Sequence, residues 1–79
     1  MIKFYGTMIC PKCQEAKKIL DEQNLWNNYE YIDITETTAN MKEFLKLRDT
    51  RKEFEPIKEE GRIGIPCFYN EKEDISFEL

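Results

Sequence analysis

The sequence predicts an α/β fold with elements in the order β-α-β-α-β-β and a four-stranded mixed sheet. Three observations predict it. A short apolar run at the N-terminus is followed by an amphipathic segment and then by a second strand-like run, the pattern of a βαβ unit with parallel strands. A second segment with helical spacing comes next. The C-terminal part then reads as two strand-like runs joined by a polar turn, which is a hairpin.

Taken in order, Ile2 to Tyr5 is apolar with little alternation, as expected for a strand covered on both faces. Gly6-Thr7-Met8-Ile9 is a loop. The periodic segment Gln14 to Leu25 carries Ala16, Ile19 and Leu20 on the same side as Cys13, with Lys17, Lys18, Asp21 and Glu22 opposite, which makes an amphipathic helix. Asn24 and the Asn27-Asn28 pair mark its end, and Leu25 and Trp26 close the core there. Tyr29 to Ile34 is rich in strand formers and fits a strand parallel to the first, with Asp33 an exposed residue at its end. Thr35 to Thr38 offers N-caps for a second helix running through Thr50, in which Met41, Phe44, Leu45 and Arg48 recur at helical spacing.

Thr50-Arg51-Lys52-Glu53 matches a capping box, and Pro56 would sit badly inside a long helix. A break followed by a short helical piece ending at Gly61 is therefore expected, pinned to the core by Phe54 and Ile57. Arg51, Lys52, Lys58 and Arg62 each have acidic neighbours and read as surface charges. Pro66 is tolerated where it stands, at the start of the strand-like run through Cys67, Phe68 and Tyr69. Asn70 to Asp74 is a polar turn, and Ile75 to Leu79 alternates as a last strand with one face buried.

The 79 residues make room for a single domain, and 41% hydrophobic with 13% aromatic residues is enough for a packed core. Sixteen acidic against twelve basic residues give a net charge of −4, and no Lys/Arg cluster stands clear of carboxylates. That argues against nucleic acid or an anionic membrane as the main partner. No apolar run approaches the roughly 18 residues that span a bilayer, and the N-terminus lacks the pattern of a signal peptide. A cytoplasmic location is expected, where a Cys-x-x-Cys pair is more often catalytic or metal-binding than a structural staple.

The chemistry centres on Cys10-Pro11-Lys12-Cys13, at the junction of the first strand and first helix. A three-residue step puts both sulfurs on one side of the first turn, within reach of a disulfide. Pro11 suits the first helical position. Cys10 is then an exposed N-cap residue and Cys13 lies one turn inside. Free backbone N–H groups, the positive end of the helix dipole and Lys12 all favour a thiolate, the nucleophile of disulfide exchange. The same motif also occurs in metal knuckles. A tetrahedral site needs a second ligand pair, and the chain offers only Cys67 and no histidine, so redox use ranks ahead of a metal. Cys67 reads either as a third thiol near the pair or as a small buried strand residue.

Strand, Cys-Pro-Lys-Cys at a helix start, βαβ, second helix and an Ile65-Pro66 strand together resemble the thioredoxin fold and, within it, the glutaredoxins. The resemblance covers essentially the whole chain, 1–79, as one domain, in a short form without a C-terminal helix. It implies that Cys10 is the nucleophile and Cys13 the resolving thiol. It also implies that Pro66 is a cis-proline opposite them and that the Ile65 main chain pairs with bound substrate beside Lys12. Three features depart from the family pattern. Thr7 stands where many members have a lysine, Lys12 replaces the usual aromatic, and the Gly-Gly acidic motif after the hairpin is absent. These departures remove common glutathione contacts and leave the dithiol untouched.

The leading expectation is a thiol–disulfide oxidoreductase that acts on protein disulfides or glutathione mixed disulfides. It holds no bound cofactor, and glutathione is a candidate reductant. The alternative is a metal or iron–sulfur carrier using the same cysteines. With one sheet face covered by the first helix alone, the expected state is a monomer or weak homodimer.

Overall fold

The computed structural model describes residues 1–79. Strand β1 (Ile2–Gly6) occupies the middle of a four-stranded sheet ordered β2-β1-β3-β4. Strand β2 (Tyr29–Asp33) runs parallel to it, with Phe4 opposite Tyr31. On its other side β3 (Cys67–Tyr69) runs antiparallel, with Phe4 opposite Phe68 and Tyr5 opposite Cys67. The edge strand β4 (Ile75–Ser76) closes a hairpin with β3. Helix α1 (Pro11–Glu22) connects β1 to β2, and α2 (Thr38–Thr50) and the short α3 (Glu55–Glu59) lie between β2 and β3. This is the thioredoxin-like mixed α/β arrangement expected from the sequence.

Alternate residues of a pleated strand point to opposite faces, so the sheet sorts its apolar side chains into two cores. Phe4 and Phe68 meet Cys13, Ala16 and Leu20 of α1 on one face. The Phe4 ring there makes edge contacts with Trp26 and Tyr31 at centroid distances of 5.9 and 5.4 Å, an arrangement that favours aromatic quadrupoles. Tyr5, Ile32, Ile34 and Cys67 face the other way, against Phe44 of α2 and Phe54 and Ile57. The buried Tyr5 keeps its hydroxyl satisfied by donating to Glu43 Oε2 at 2.7 Å.

Several elements end where local chemistry says they should. Thr37 caps α2 by accepting from the Asn40 N–H at 3.0 Å, and Pro56 sits in the first turn of α3, where it costs no hydrogen bond. Other boundaries differ from the sequence reading. α1 stops at Glu22, and Asn24 adopts φ 57° in the turn that follows. The Thr50–Glu53 capping box does not form. Thr50 Oγ1 instead bonds back to the Lys46 carbonyl, and the break comes at Arg51, which is extended and leads into a 3-10 turn over Lys52–Phe54. β4 covers only Ile75–Ser76, because Phe77 turns in to pack edge-on against Phe54 at 5.0 Å. In α2 only Phe44 is buried, leaving Met41 and Leu45 exposed.

Candidate dithiol site

The loop after β1 delivers Cys10 to the N-cap of α1 with extended backbone, φ −95° and ψ 122°. Its N–H donates to the Thr7 carbonyl at 3.1 Å and its carbonyl accepts from Gln14 N–H at 3.0 Å. Pro11 follows as the first helical residue, and the N–H groups of Lys12 and Cys13 have no backbone acceptor, so the helix end beside Cys10 presents free donors. Cys10 is half-buried rather than exposed. Cys13, one turn further, is fully buried against Gly6, in the core cluster that Cys10 packs against. Burial pushes the Cys13 thiol up to about 11, with the neighbouring Cys10 adding to the rise and the Thr7 backbone N–H opposing it. Both residues are free thiols.

Facing this pair is the segment that enters β3. Gly64 takes φ +99°, and a Cβ there would lie 2.8 Å from the Phe54 ring, so the chain can turn here only with glycine. The next peptide bond, Ile65-Pro66, is cis. Neither the N–H nor the carbonyl of Ile65 has a hydrogen-bond partner within the protein. Its side chain packs against the core that holds Cys13.

A family model for glutaredoxins matches residues 2–71, a span that runs from β1 through both cysteines and Ile65-Pro66 to the turn after β3. The chain belongs to the glutaredoxin family. An uncharacterized protein of Haemophilus influenzae is 31% identical over 78 residues, covering 99% of this chain and 87% of that protein. No solved structure matches.

Within this glutaredoxin domain Ile65 separates two depressions. On one side Lys12, Ile65 and Pro66 line a cleft of about 320 Å³ together with Ala16 and Phe68. Lys12 makes no ion pair there, whereas Arg62 at the rim pairs with Glu60. On the other side Cys10 and Ile65 line a groove of about 600 Å³ that runs along α2. The structure thus gathers Cys10, Cys13, Lys12, Ile65 and Pro66 at one end of α1. It places Cys67 elsewhere, fully buried on the opposite face of the sheet among Tyr5, Phe44 and Phe54, where burial pushes its thiol up to about 12. No three Cys, His, Asp or Glu side chains converge in a way that could hold a metal ion.

A polar brace behind the cysteine loop was not anticipated from the sequence. Asp33, at the end of β2, accepts from the Thr35 hydroxyl at 2.7 Å and the Thr35 N–H at 2.8 Å, and the hydroxyl bond above all holds its carboxyl below the usual carboxylate range. The Thr35 hydroxyl in turn meets the buried Thr7 hydroxyl at 3.0 Å, tying the loop before Cys10 to β2. The Asp33-Ile34-Thr35 order is an Asx-turn signature and was the available signal. Thr7, at the position where relatives were expected to carry a lysine, is here a structural hydroxyl.

Proposed function

We propose that the protein reduces disulfides through Cys10 and Cys13. The Cys10 thiolate attacks one sulfur of a substrate disulfide, forming a mixed disulfide and expelling the other half as a thiolate, which takes up a proton. The Cys13 thiol then loses its proton and attacks Cys10 Sγ, breaking the mixed disulfide. The substrate leaves as thiol, two electrons have passed to it, and a Cys10–Cys13 disulfide remains. Two equivalents of an external thiol, with glutathione the one implied by the family, restore the dithiol in the cytoplasm. The first forms a mixed disulfide with Cys10 and frees Cys13, and the second releases Cys10 and leaves with the first as their disulfide.

The observation that carries this reading is the placement of a reachable thiol at a helix N-terminus with a second thiol buried directly behind it. The open Ile65 main chain offers an incoming extended segment a strand-like partner, and Lys12 adds a positive charge at the rim. Burial, the largest cause of the raised Cys13 pKa, favours its thiol form throughout. Once Cys10 is tied up in a mixed disulfide, its contribution to the raised Cys13 pKa disappears, while the Thr7 N–H continues to favour the Cys13 thiolate.

Steady-state reduction of a glutathione mixed disulfide tests the roles, with glutathione and glutathione reductase as the electron supply. Cys10→Ser should lose turnover entirely. Cys13→Ser should still make the first attack and, when glutathione is left out, accumulate a mixed disulfide at Cys10, visible by mass. Full activity in Cys10→Ser would refute the assignment.

A further inference from the structure

The chain's exposed apolar residues are not spread evenly. Ile9, Met41, Leu45 and Ile63 are four of its seven exposed large apolar side chains, and all four line the groove beside Cys10. Ile34 and Phe44 form its inner wall. An apolar concentration of this kind in a small acidic protein marks a surface that becomes covered. It lies on the α2 side of the site, not on the face covered by α1 alone.

Arg48 is the one charged residue lining this groove. Its Nε donates to the Ile63 carbonyl and its Nη2 to the Arg62 carbonyl, both at 2.8 Å, which fixes the guanidinium at the groove wall. No carboxylate lies within ion-pair distance of it, although the chain carries sixteen acidic residues. At the Cys10 end the groove meets Ile65, whose main chain is unpaired. A reactive sulfur, an open strand edge, an apolar trough and one unneutralised cation are therefore contiguous.

We infer that this groove docks an extended segment of a protein substrate whose cysteine is flanked by large apolar side chains and an acidic residue. The inference rests on the proposed exchange role of Cys10 and names its substrate class. The apolar side chains enter the trough lined by Ile9, Met41, Leu45 and Ile63, the acidic group meets Arg48, and the segment's backbone pairs with Ile65. The substrate sulfur then lies at Cys10, which bonds to it as the segment's former disulfide partner leaves with the electron pair. Glutathione would bring a carboxylate to Arg48, but it has no large apolar side chain for the trough, and its second carboxylate and ammonium group meet no charged partner among the lining residues. It suits the later role of reductant better than that of the molecule recognised here.

The test is the rate at which the reduced protein consumes three peptide disulfides in single turnover, each peptide bearing one cysteine linked to mercaptoethanol. The first has leucine and phenylalanine beside the cysteine and a glutamate nearby, the second replaces the apolar pair by serines, and the third replaces the glutamate by lysine. Bis(2-hydroxyethyl) disulfide, which has nothing to dock, measures the intrinsic reactivity of Cys10. The first peptide should react about tenfold faster than the second, the gain that seating a large apolar side chain supports, and several-fold faster than the third. Met41→Gln combined with Leu45→Gln should erase the gap between the first two peptides and leave the rate with the small disulfide unchanged.

Equal rates for the first two peptides in the unaltered protein, or a gap that survives in the double variant, would overturn the inference. So would a dimer in sedimentation that the double variant dissolves, since a second copy would then be what covers the groove. Failure to react with the small disulfide would overturn the exchange role itself, and the docking inference with it.

Discussion

Gly6 couples the sheet to the dithiol, and Gly6→Ala should damage both. A Cβ at this position would fall 2.7 Å from Phe4 Cε1 and 2.8 Å from Cys13 Sγ, closer than real Cβ contacts. Neither neighbour can give way freely. Phe4 is fully buried and held edge-on by Trp26, Tyr31 and Phe68, and Cys13 is fully buried in the first turn of α1. Forcing a methyl into such a core costs about 1–3 kcal/mol. Alanine also restricts the unfolded chain, which stabilises the fold by about 0.4–1 kcal/mol. The net expectation is a loss of about 1–2 kcal/mol, and in a domain of this size each kcal/mol lowers Tm by roughly 4–8 °C. The same clash should push Cys13 away from its seat and slow formation of the Cys10–Cys13 disulfide. Urea unfolding of the reduced protein measures the first effect, and the rate of intramolecular disulfide formation after reaction with a small disulfide measures the second. Unchanged stability together with an unchanged closure rate would refute the packing reasoning.

The buried thiol on the other face predicts a pH dependence. Cys67 ionises at about 12 in the fold against 9.0 ordinarily, because burial disfavours its thiolate. The unfolded chain therefore releases this proton first, so the contribution is fully present below pH 9 and is lost as the pH rises from 9 to about 12. Unfolding of the reduced protein across that range should show a stability loss whose slope is shallower in Cys67→Ala, whatever the variant's absolute stability. Thr37→Ala removes the hydroxyl that accepts from the Asn40 N–H at 3.0 Å, and should cost about 1 kcal/mol in urea unfolding. That variant should leave thiol exchange at Cys10 untouched, because the Thr37 side chain bonds to Asn40 and does not line the groove beside Cys10.

Much of this molecule was legible in the order of its residues. Apolar runs, amphipathic spacing and turn residues are local signals, and they located β1, β2, α1, α2 and the short helix near Pro56 to within a few residues. Cys-Pro-Lys-Cys at a strand-to-helix junction likewise places a thiol at a helix N-cap without any knowledge of the rest, because the spacing and the proline act within one turn. Long-range pairing decided the remainder. Which way Cys67 points depends on its register opposite Tyr5 in β1, and a shift of one residue would have turned it toward the dithiol. Whether Thr50 and Glu53 cap a helix depended on where the chain had to bend to bring Phe54 under Phe44. The apolar groove exists only because Ile9, Met41, Leu45 and Ile63, scattered along the sequence, are brought together by the packing of α2 against the sheet and by the Arg48 bonds to the Arg62 and Ile63 carbonyls. Helical periodicity shows that Met41 and Leu45 share a side with Phe44. Only the tertiary structure shows that Phe44 fills the core and leaves the other two at a surface beside Cys10.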